Sequence, residues 1–597
     1  MLLAPPAHQH SPSLLILEFG LTAIAFASAF TWPDAGSSWL RKAELAFSRL
    51  AHRRLLAVVV VGLSVLLVRL AMLPIYPVPL PFVPNDFSFL LASDTFAHGR
   101  LANPTPAMWM HFETIHVSMQ PTYMTMYFPG QGLLLAAGQF VAGNPWVGVL
   151  ISSALMCAAI CWALQAWLPP EWALLGGFIA VLRLGLFSYW TNTYHGGGSL
   201  AALAGALVLG AMPRLIRSGR FRYSLAIGIG IAILVITRPL EGFLLCCPVA
   251  VMLFYRLRKQ GTRPGTAQLA RWLAAPLLCT VAAGAWMAWY DYRAFGNPLT
   301  PPYSVNRATY AIAPYFVWQQ QRPEPNYRYR EMRDFYRTDE LDTYKKLHSL
   351  RGFLPQTLLK VALFFEFYAG FALLVPLLMV RRVFLDRRIR FLLISVIVLA
   401  AGMGMEIYLL PHYVAPFTVA FYVIGLQAMR HLRLWKPEGK PAGLALARFA
   451  VVVCVLMAGV RLFAQPLHFA PSQLPASNWN FSWIGPEHFG TKRAQVESQL
   501  EGLPGLQLAI VRYGSQHEPF NEWVYNSADV DASKVVWARD MDDAGNRELL
   551  RYYSGRKVWL VEPDQTPVRI SPYLETSPDA GTKIAAGKLS RPFGDRQ

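Results

Sequence analysis

The residues of this chain whose types and spacing could do chemistry begin at an acidic position in the first third of the sequence. Asn85 and Asp86 follow Pro84 just after an apolar segment, in the order Pro-Asn-Asp-Phe-Ser-Phe. A carboxylate at such a place could take a proton from a hydroxyl group as a general base. Either residue could instead cap a helix, because short polar side chains accept hydrogen bonds from its first free N–H groups. The spacing alone leaves both roles open for Asp86.

Two histidines and a glutamate stand close together further along. His111, Glu113 and His116 lie within six positions of each other, and imidazole and carboxylate groups are common ligands of divalent metals. The same residues could form the polar rim of a strand or hairpin, and no fourth ligand is evident. They are candidates for a divalent metal site, and the sequence indicates no other cofactor.

Three more polar clusters, at 189–195, 238–241 and 412–413, lie at the ends of later apolar segments. In lipid such groups are costly, so they usually line a cavity. Arg238 and Glu241 could also simply pair with each other at a spacing of i, i+3. In the order of the membrane-spanning segments predicted below, all three clusters fall on the same side of the membrane as Asp86. This favours a site at one membrane surface. The candidate residues in them are Asn192, His195, Arg238, Glu241, His412 and Tyr413.

The composition predicts that lipid is the main solvent of the elements that carry these residues. The chain has 597 residues, of which 54% are hydrophobic and only 15% are charged, against about 25% charged in soluble domains. This excludes a disordered chain, a small disulfide scaffold and an ordinary soluble enzyme. We predict about twelve membrane-spanning helices from apolar segments near the length that crosses hydrocarbon. They are 14–31, 55–75, 145–167, 172–189, 197–213, 223–237, 241–255, 272–290, 356–380, 391–409, 414–430 and 445–464.

The positive charge follows the alternation of these segments. The net charge is +19, and it lies in alternate connections that fall on one side of the membrane. Basic loops stay in the cytoplasm, so the charge reports topology and not nucleic-acid binding. The N-terminus, the first and second large loops and the C-terminal tail are then extracytoplasmic. The basic connections are 32–54, 214–222, 256–271, 381–390 and 430–448.

The predicted organisation has three parts. Residues 1–54 form an extra N-terminal helix and a basic cytoplasmic loop, and residues 55–464 form an all-α polytopic membrane domain. That domain carries two long loops, 76–144 (loop 1) and 291–355 (loop 2). Residues 465–597 (the tail) have a soluble composition, and we predict a small α/β domain there. Its predicted strands are 506–511, 534–538 and 557–562, and its predicted helix is 546–553.

Loop 1 and loop 2 each hold a predicted feature at the membrane surface. Phe87, Leu90, Leu91 and Phe96 share one face of a helix that Gly99 would end, which is typical of an amphipathic helix lying in the interface. Loop 2 is aromatic and basic. Its residues could be ordinary interfacial aromatics, or a lid over a lipid-linked substrate. Tyr303 and Arg307 are the candidate residues there.

The chain resembles the GT-C membrane glycosyltransferases. This family includes protein O-mannosyltransferases, the lipid A aminoarabinose transferase and bacterial lipopolysaccharide sugar transferases. The segment from Asn85 to Gly132 is similar to a bacterial subgroup in which Asp-Glu-Phe-Ser-Tyr precedes Asp-Thr-Phe-Ala-His-Gly-Arg-Leu. The chain reads Asp-Thr-Phe-Ala-His-Gly-Arg-Leu at 94–101, Arg-Pro-Leu-Glu-Gly at 238–242 and His-Tyr-Val-Ala-Pro at 412–416. It departs at the acidic pair, with Asn85 in place of the subgroup's Asp and Asp86 in place of its Glu.

The resemblance implies a sugar transfer from a polyprenyl phosphate donor to an envelope glycan, lipid or protein acceptor, in a bacterial inner membrane. It implies an extracytoplasmic active site, with membrane lipids as further partners and no nucleic acid. Asp86 would be the general base, and Arg238 and His412, with Arg307 behind them, would hold the phosphate. The other implied binding residues are Asn85, His111, Glu113, Asn192, His195, Glu241, Tyr303 and Tyr413.

Two other classes of function remain open from the sequence. A transporter or lipid flippase would carry broken helices and ionisable residues near the bilayer midplane, and Arg183 and Glu366 favour it mildly. A catalytically degenerate GT-C member acting as a binding partner is favoured only by Asn85.

Overall fold

The computed structural model describes residues 13–259, 265–469, 482–483 and 490–573. The fold is mostly helical. Its helices are α1 (Leu14–Thr31), α2 (Ser37–His52), α3 (Arg54–Ala71), α4 (Pro84–Ala97), α5 (Trp109–Phe112), α6 (Pro129–Ala142), α7 (Pro145–Leu164), α8 (Pro170–Ala180), α9 (Tyr189–Asn192), α10 (Gly198–Ser218), α11 (Phe221–Thr237), α12 (Pro239–Lys259), α13 (Thr266–Phe295), α14 (Pro302–Tyr310), α15 (Arg330–Asp334), α16 (Leu341–His348), α17 (Leu350–Tyr368), α18 (Val380–Leu385), α19 (Arg390–Gly404), α20 (Thr418–Arg433), α21 (Ala442–Leu462), α22 (Thr491–Glu501) and α23 (Asp543–Tyr552).

The strands are few and short. They are β1 (Asn103–Pro104), β2 (Val117–Ser118), β3 (Thr122–Thr125), β4 (Gln507–Val511), β5 (Val535–Arg539), β6 (Lys557–Glu562) and β7 (Arg569–Pro572). Strands β1, β3 and β2 form a small antiparallel sheet in loop 1.

Among the described residues, seven helices are long and apolar enough to cross a membrane, and a bent pair makes an eighth if it is one span. The chain is a multi-pass membrane protein, but the predicted count of about twelve spans is not confirmed. Two predicted spans are shorter apolar helices, α11 and α19. The predicted span 172–189 is divided, because α8 ends at Ala180 and a π-helical turn follows over Val181–Gly185.

The divided span carries a buried cation whose partners explain the break. Arg183 donates to the Glu18 carboxylate at 3.3 Å and to the backbone carbonyl of Glu366 at 2.6 Å. Arg461 lies 3.7 Å from the other Glu18 oxygen. A charge inside a membrane bundle persists only when it is paired, so this network fixes α1, α17 and α21 around the π-helical turn.

We predict that Glu18→Gln destabilises the protein by about 3 kcal/mol, because Arg183 and Arg461 then share no buried counter-charge. Thermal unfolding in detergent would measure this. Glu171→Gln is the matched control, since Glu171 is partly exposed and contacts only uncharged or exposed partners, the Ser48 hydroxyl and the His52 ring. Equal melting temperatures for the two variants would contradict the prediction.

Helix α4 is buried in protein, so the prediction of an interfacial amphipathic helix is wrong. Phe87 stacks on Tyr525 of the tail and Phe89 stacks on Tyr127 of loop 1, each with ring centroids 4.5 Å apart on opposite sides of the helix. Of the apolar residues that suggested a lipid-facing side, Phe87 and Leu91 pack in a cluster with the tail, whereas Leu90 and Phe96 pack against other parts of the chain. A sequence pattern cannot distinguish lipid from a distant apolar part of the same chain.

The tail forms a four-stranded sheet in the order β5-β4-β6-β7. Strand β4 runs parallel to both β5 and β6, and β7 is antiparallel to β6. Strands β4, β5 and β6 and helix α23 lie within a few residues of the segments expected from the sequence. Strands β4 and β5 read as continuous apolar runs because they are buried on both faces.

The tail is docked on loop 1 by a buried arginine. Arg539, at the end of β5, donates to the backbone carbonyl of Glu113 at 2.7 Å and pairs with the carboxylates of Glu331 and Glu522. Because these partners come from loop 1, loop 2 and the tail, Arg539 joins all three regions above the helices.

Candidate active site

A cavity of about 1120 Å³ lies where the helix ends meet loop 1, loop 2 and the tail. Its wall includes the start of α4, the junction of α11 and α12, the segment 407–413 and the tail loop 515–520. Of the residues predicted from the sequence, the wall contains Asn85, His116, Arg238, Glu241, Tyr303, Arg307, His412 and Tyr413.

The cation best placed for an anionic substrate is Arg238, between α11 and α12. One guanidinium nitrogen donates to the carbonyl of Gly196 at 3.1 Å, and another lies 3.5 Å from the Glu241 carboxylate. The guanidinium also lies over the Tyr413 ring, 4.5 Å from its centroid. These contacts fix the charge at the cavity wall, and part of the side chain, 18%, stays exposed.

The carboxylate predicted as the base lies outside this cavity. Asp86 is fully buried, and its Oδ1 accepts hydrogen bonds from the Tyr194 backbone N–H and from His195 Nδ1, both at 2.9 Å. Its Oδ2 accepts from the Phe82 backbone N–H at 3.2 Å. A proton acceptor must come within hydrogen-bond reach of the substrate, and Asp86 is not part of the cavity wall, so this geometry argues against Asp86 as the general base. Asp86 does not cap α4 either, because the start of that helix has no side-chain cap hydrogen bond.

Asp86 instead positions Arg238. It holds Tyr194 and His195, and the next residue, Gly196, supplies the carbonyl that Arg238 contacts. Gly196 has φ of +90°, and a Cβ there would lie 3.1 Å from the His412 ring, so the turn requires glycine. The buried carboxylate thus determines where the cationic wall of the cavity stands.

Two uncharged amides line the cavity near this turn. Asn85 and Gln131 both belong to the wall, and the buried Oε1 of Gln131 has no hydrogen-bond partner in the described part of the chain. Gln131 Nε2 donates to the Tyr194 carbonyl at 3.1 Å. These amides could bind hydroxyl groups, but a carboxamide is not a base.

The predicted metal ligands do not converge. His111 is hydrogen-bonded to the Arg539 and Gly545 carbonyls of the tail, while Glu113 accepts from Tyr310 at 2.9 Å and Arg328 at 2.8 Å. His116 reaches the cavity, where Nδ1 lies 3.1 Å from the Tyr127 hydroxyl. No group of three potential ligands occurs within the described ranges, so His111, Glu113 and His116 do not form the predicted site.

Two of the histidines that line the wall, His116 and His412, are uncharged. Burial, with Arg307 nearby, lowers the pKa of His116 to about 3. Burial lowers the pKa of His412 well below its usual value, and Arg238 and His195 contribute. This lowered pKa argues against His412 as a cation for phosphate, and that role stays a prediction. Its ring, hydrogen-bonded to Tyr189 at 2.7 Å, lines the cavity.

Arg307 is also committed to structure. Two of its nitrogens contact the two Glu340 oxygens at 3.0 Å each, and one donates to the Ala313 carbonyl at 2.7 Å. This bidentate pair folds loop 2 and leaves the guanidinium little capacity for a substrate. Tyr303, its neighbour in the wall, remains available.

Asn192 and His195 do not reach the cavity wall. Asn192 accepts from Arg69 Nε at 3.1 Å and donates to the carbonyls of Leu186 and Ser188. Arg69 also donates to the carbonyl of Tyr76 at 2.7 Å. Both predicted residues therefore hold the start of loop 1 and the Gly196 turn in place.

Sequence reasoning missed two parts of the wall. Lys360 of α17 lines the cavity and donates to the Glu406 carbonyl at 2.8 Å. No local pattern assigns it a role, because it lies within an apolar segment. The tail loop 515–520 reaches the wall through tertiary contacts that no local pattern indicates. Phe520 meets Phe335 of loop 2 edge to face, with centroids 5.2 Å apart.

No family model and no curated protein matches this chain. Among solved structures, ArnT from Cupriavidus metallidurans in the apo state matches at a TM-score of 0.46 and 13% identity, over 84% of this chain and 92% of that one. The same protein bound to undecaprenyl phosphate matches at 0.43 and 15%, over 85% and 92%. The Archaeoglobus fulgidus oligosaccharyltransferase AglB, in complex with an inhibitory peptide and a dolichol-phosphate, matches at 0.45 and 10%, over 86% and 69%. All three TM-scores are below 0.5, so the chemistry has to be inferred from the chain's own residues.

We predict that Asp86→Asn disturbs the Gly196 turn, because an amide can accept from Tyr194 and His195 but presents a donor to the Phe82 N–H. The expected result is a lower melting temperature, by several degrees, and weaker binding of undecaprenyl phosphate. Both can be measured on purified protein in nanodiscs. Asp94→Asn, which alters the contact with His98 on the same helix, is the control. Unchanged stability and binding in Asp86→Asn would rule out the positioning role.

Proposed function

We propose that this protein is a membrane glycosyltransferase that moves a sugar from a polyprenyl phosphate donor to an acceptor on the side of the membrane that carries the tail. The observation that carries the proposal is the guanidinium of Arg238, held rigidly at the wall of a large cavity at the helix ends. The motif resemblance in loop 1 and at 238–242 points to the same chemistry. The basic connections would face the cytoplasm, and the cavity would open on the extracytoplasmic side.

Arg238 suits the leaving group of this reaction. When the bond between the sugar and the phosphate breaks, negative charge develops on the phosphate oxygens, and a preorganised cation stabilises it more than it stabilises the bound donor. Lys360 lines the same cavity and supplies a second positive charge. Arginine contacts phosphate through two nitrogens at once, which fixes its orientation.

The cavity also offers an apolar path for the prenyl chain. This path lies next to Lys360, so a lipid phosphate would meet the cation while its chain stays among apolar side chains. The apolar residues of the wall that form it are Leu359, Leu363, Ile407, Leu409 and Leu410. The acceptor would then approach from the opposite side, between loop 2 and the tail loop.

We predict that Arg238→Gln lowers kcat/KM for sugar transfer by about 100-fold, the cost typical of removing one preorganised charge-stabilising group. The assay would use the full chain in nanodiscs, a panel of radiolabelled polyprenyl phosphate sugars and an envelope extract as acceptor. Arg238→Lys should retain part of the rate, since it keeps the charge and loses the bidentate geometry.

Arg214→Gln is the matched control. Arg214 also lies over an aromatic ring, that of Trp162 at 4.3 Å, and also donates to backbone carbonyls, but it is not part of the cavity wall. Comparable losses in Arg238→Gln and Arg214→Gln would mean that both act through stability, and Arg238 would not be the phosphate site.

One observation favours the alternative of a degenerate member that binds without catalysis. Asn85 presents an amide where the resembled subgroup has a carboxylate, and Asp86 is sealed away from the cavity. Wild-type protein that binds undecaprenyl phosphate but transfers no sugar from any donor of the panel would support this alternative and overturn the transferase proposal.

A further inference from the structure

The transfer reaction needs a group that takes the proton of the acceptor hydroxyl, and helix α4 does not supply it. Several carboxylates line the cavity, but Glu241, Glu340 and Asp334 each contact an arginine. An ionised carboxylate paired in this way is a weak base. The side of the cavity that the tail forms offers another candidate.

A histidine of the tail loop combines the features that a base requires. His517 lines the cavity, and its side chain is only 2% exposed. Its Nδ1 lies 2.8 Å from Oδ1 of Asp564, while its Nε2 has no hydrogen-bond partner among the described residues. A carboxylate on Nδ1–H fixes the tautomer in which Nε2 carries the free lone pair.

The surroundings hold this ring in one orientation. Tyr513 stacks on it with centroids 3.9 Å apart, and Oδ2 of Asp564 accepts from the Gly514 backbone N–H at 2.8 Å. Burial would raise the pKa of Asp564, but the hydrogen bonds from His517 and Gly514 outweigh it and lower that pKa. The carboxylate is therefore ionised at neutral pH, as an orienting partner must be.

We propose that His517, oriented by Asp564, is the general base of the transfer. This inference rests on the proposed function. Nε2 takes the proton of the acceptor hydroxyl as that oxygen forms its bond to the anomeric carbon. The bond from the anomeric carbon to the phosphate oxygen breaks, and its electron pair leaves with the polyprenyl phosphate. The imidazolium then returns its proton to solvent or to the released phosphate.

Several charged groups surround His517. Asp564 contacts it directly, Glu518 is its neighbour in the loop, and Lys492 lies near Asp564. Asp339 of loop 2 faces Glu518, and burial together with that carboxylate raises the pKa of Asp339 to about 6. Asp339 makes no ion pair within the described ranges, so it is the rival base and the experiment has to separate the two.

The test uses the full chain in nanodiscs with the donor panel and extract described above. We expect His517→Gln to lower kcat at least 100-fold with little change in KM, the lower end of what a general base contributes. His517→Ala should recover part of its rate when imidazole is added, which a purely structural histidine would not do.

Controls separate this role from folding and from the rival. His98→Gln changes a histidine that also contacts an aspartate, Asp94 at 3.3 Å, but is largely exposed; it should keep the wild-type rate. Asp339→Asn should retain most of kcat. A large loss in Asp339→Asn with a normal rate in His517→Gln would overturn the inference and leave the transferase intact. A wild-type protein that transfers no sugar would overturn the proposed function and the inference with it.

Discussion

The cationic wall of the cavity depends on one buried carboxylate. Asp86 accepts three hydrogen bonds from N–H donors and has no exposed surface, and these donors offset the cost of burying the carboxylate. In exchange it fixes the turn whose carbonyl holds Arg238. The start of α4 and the junction of α11 and α12 are far apart in sequence, and these contacts make them one rigid unit. Asp86 therefore acts on the cavity indirectly, by positioning Arg238.

A second buried charge, Arg539, holds together the regions above the helices. Arg539 contacts backbone or carboxylate oxygens from loop 1, loop 2 and the tail. Removing any one of these regions would leave a guanidinium or a carboxylate buried without its partner, which costs more than the pair itself contributes. The tail is for this reason part of the site.

Local patterns predicted the parts of the structure that local physics determines. The spans α1, α3, α7 and α10 follow from uninterrupted apolar runs, and the strands of the tail follow from short ones. Patterns failed where partners were distant: Arg183 breaks a predicted span because Glu18 lies beside it, and Phe87 packs on Tyr525 instead of lipid. At the site, the sequence selected Arg238, Glu241 and Tyr413, which line the cavity, but could not foresee that Asp86 faces inward or that His517 arrives from the tail.

Two parts of the sequence form the wall of the cavity, and different physical constraints act on them. The lipid-facing side consists of helix ends, whose sequence must satisfy both the bilayer and the bundle. The opposite side includes the tail loop 515–520, which lies in the long connection between β4 and β5. Exposed positions of that loop, such as Ser515 and Gln516, can therefore change without disturbing the helices. The side of the cavity formed by the tail can in this way be altered independently of the membrane bundle, while His517 stays in place.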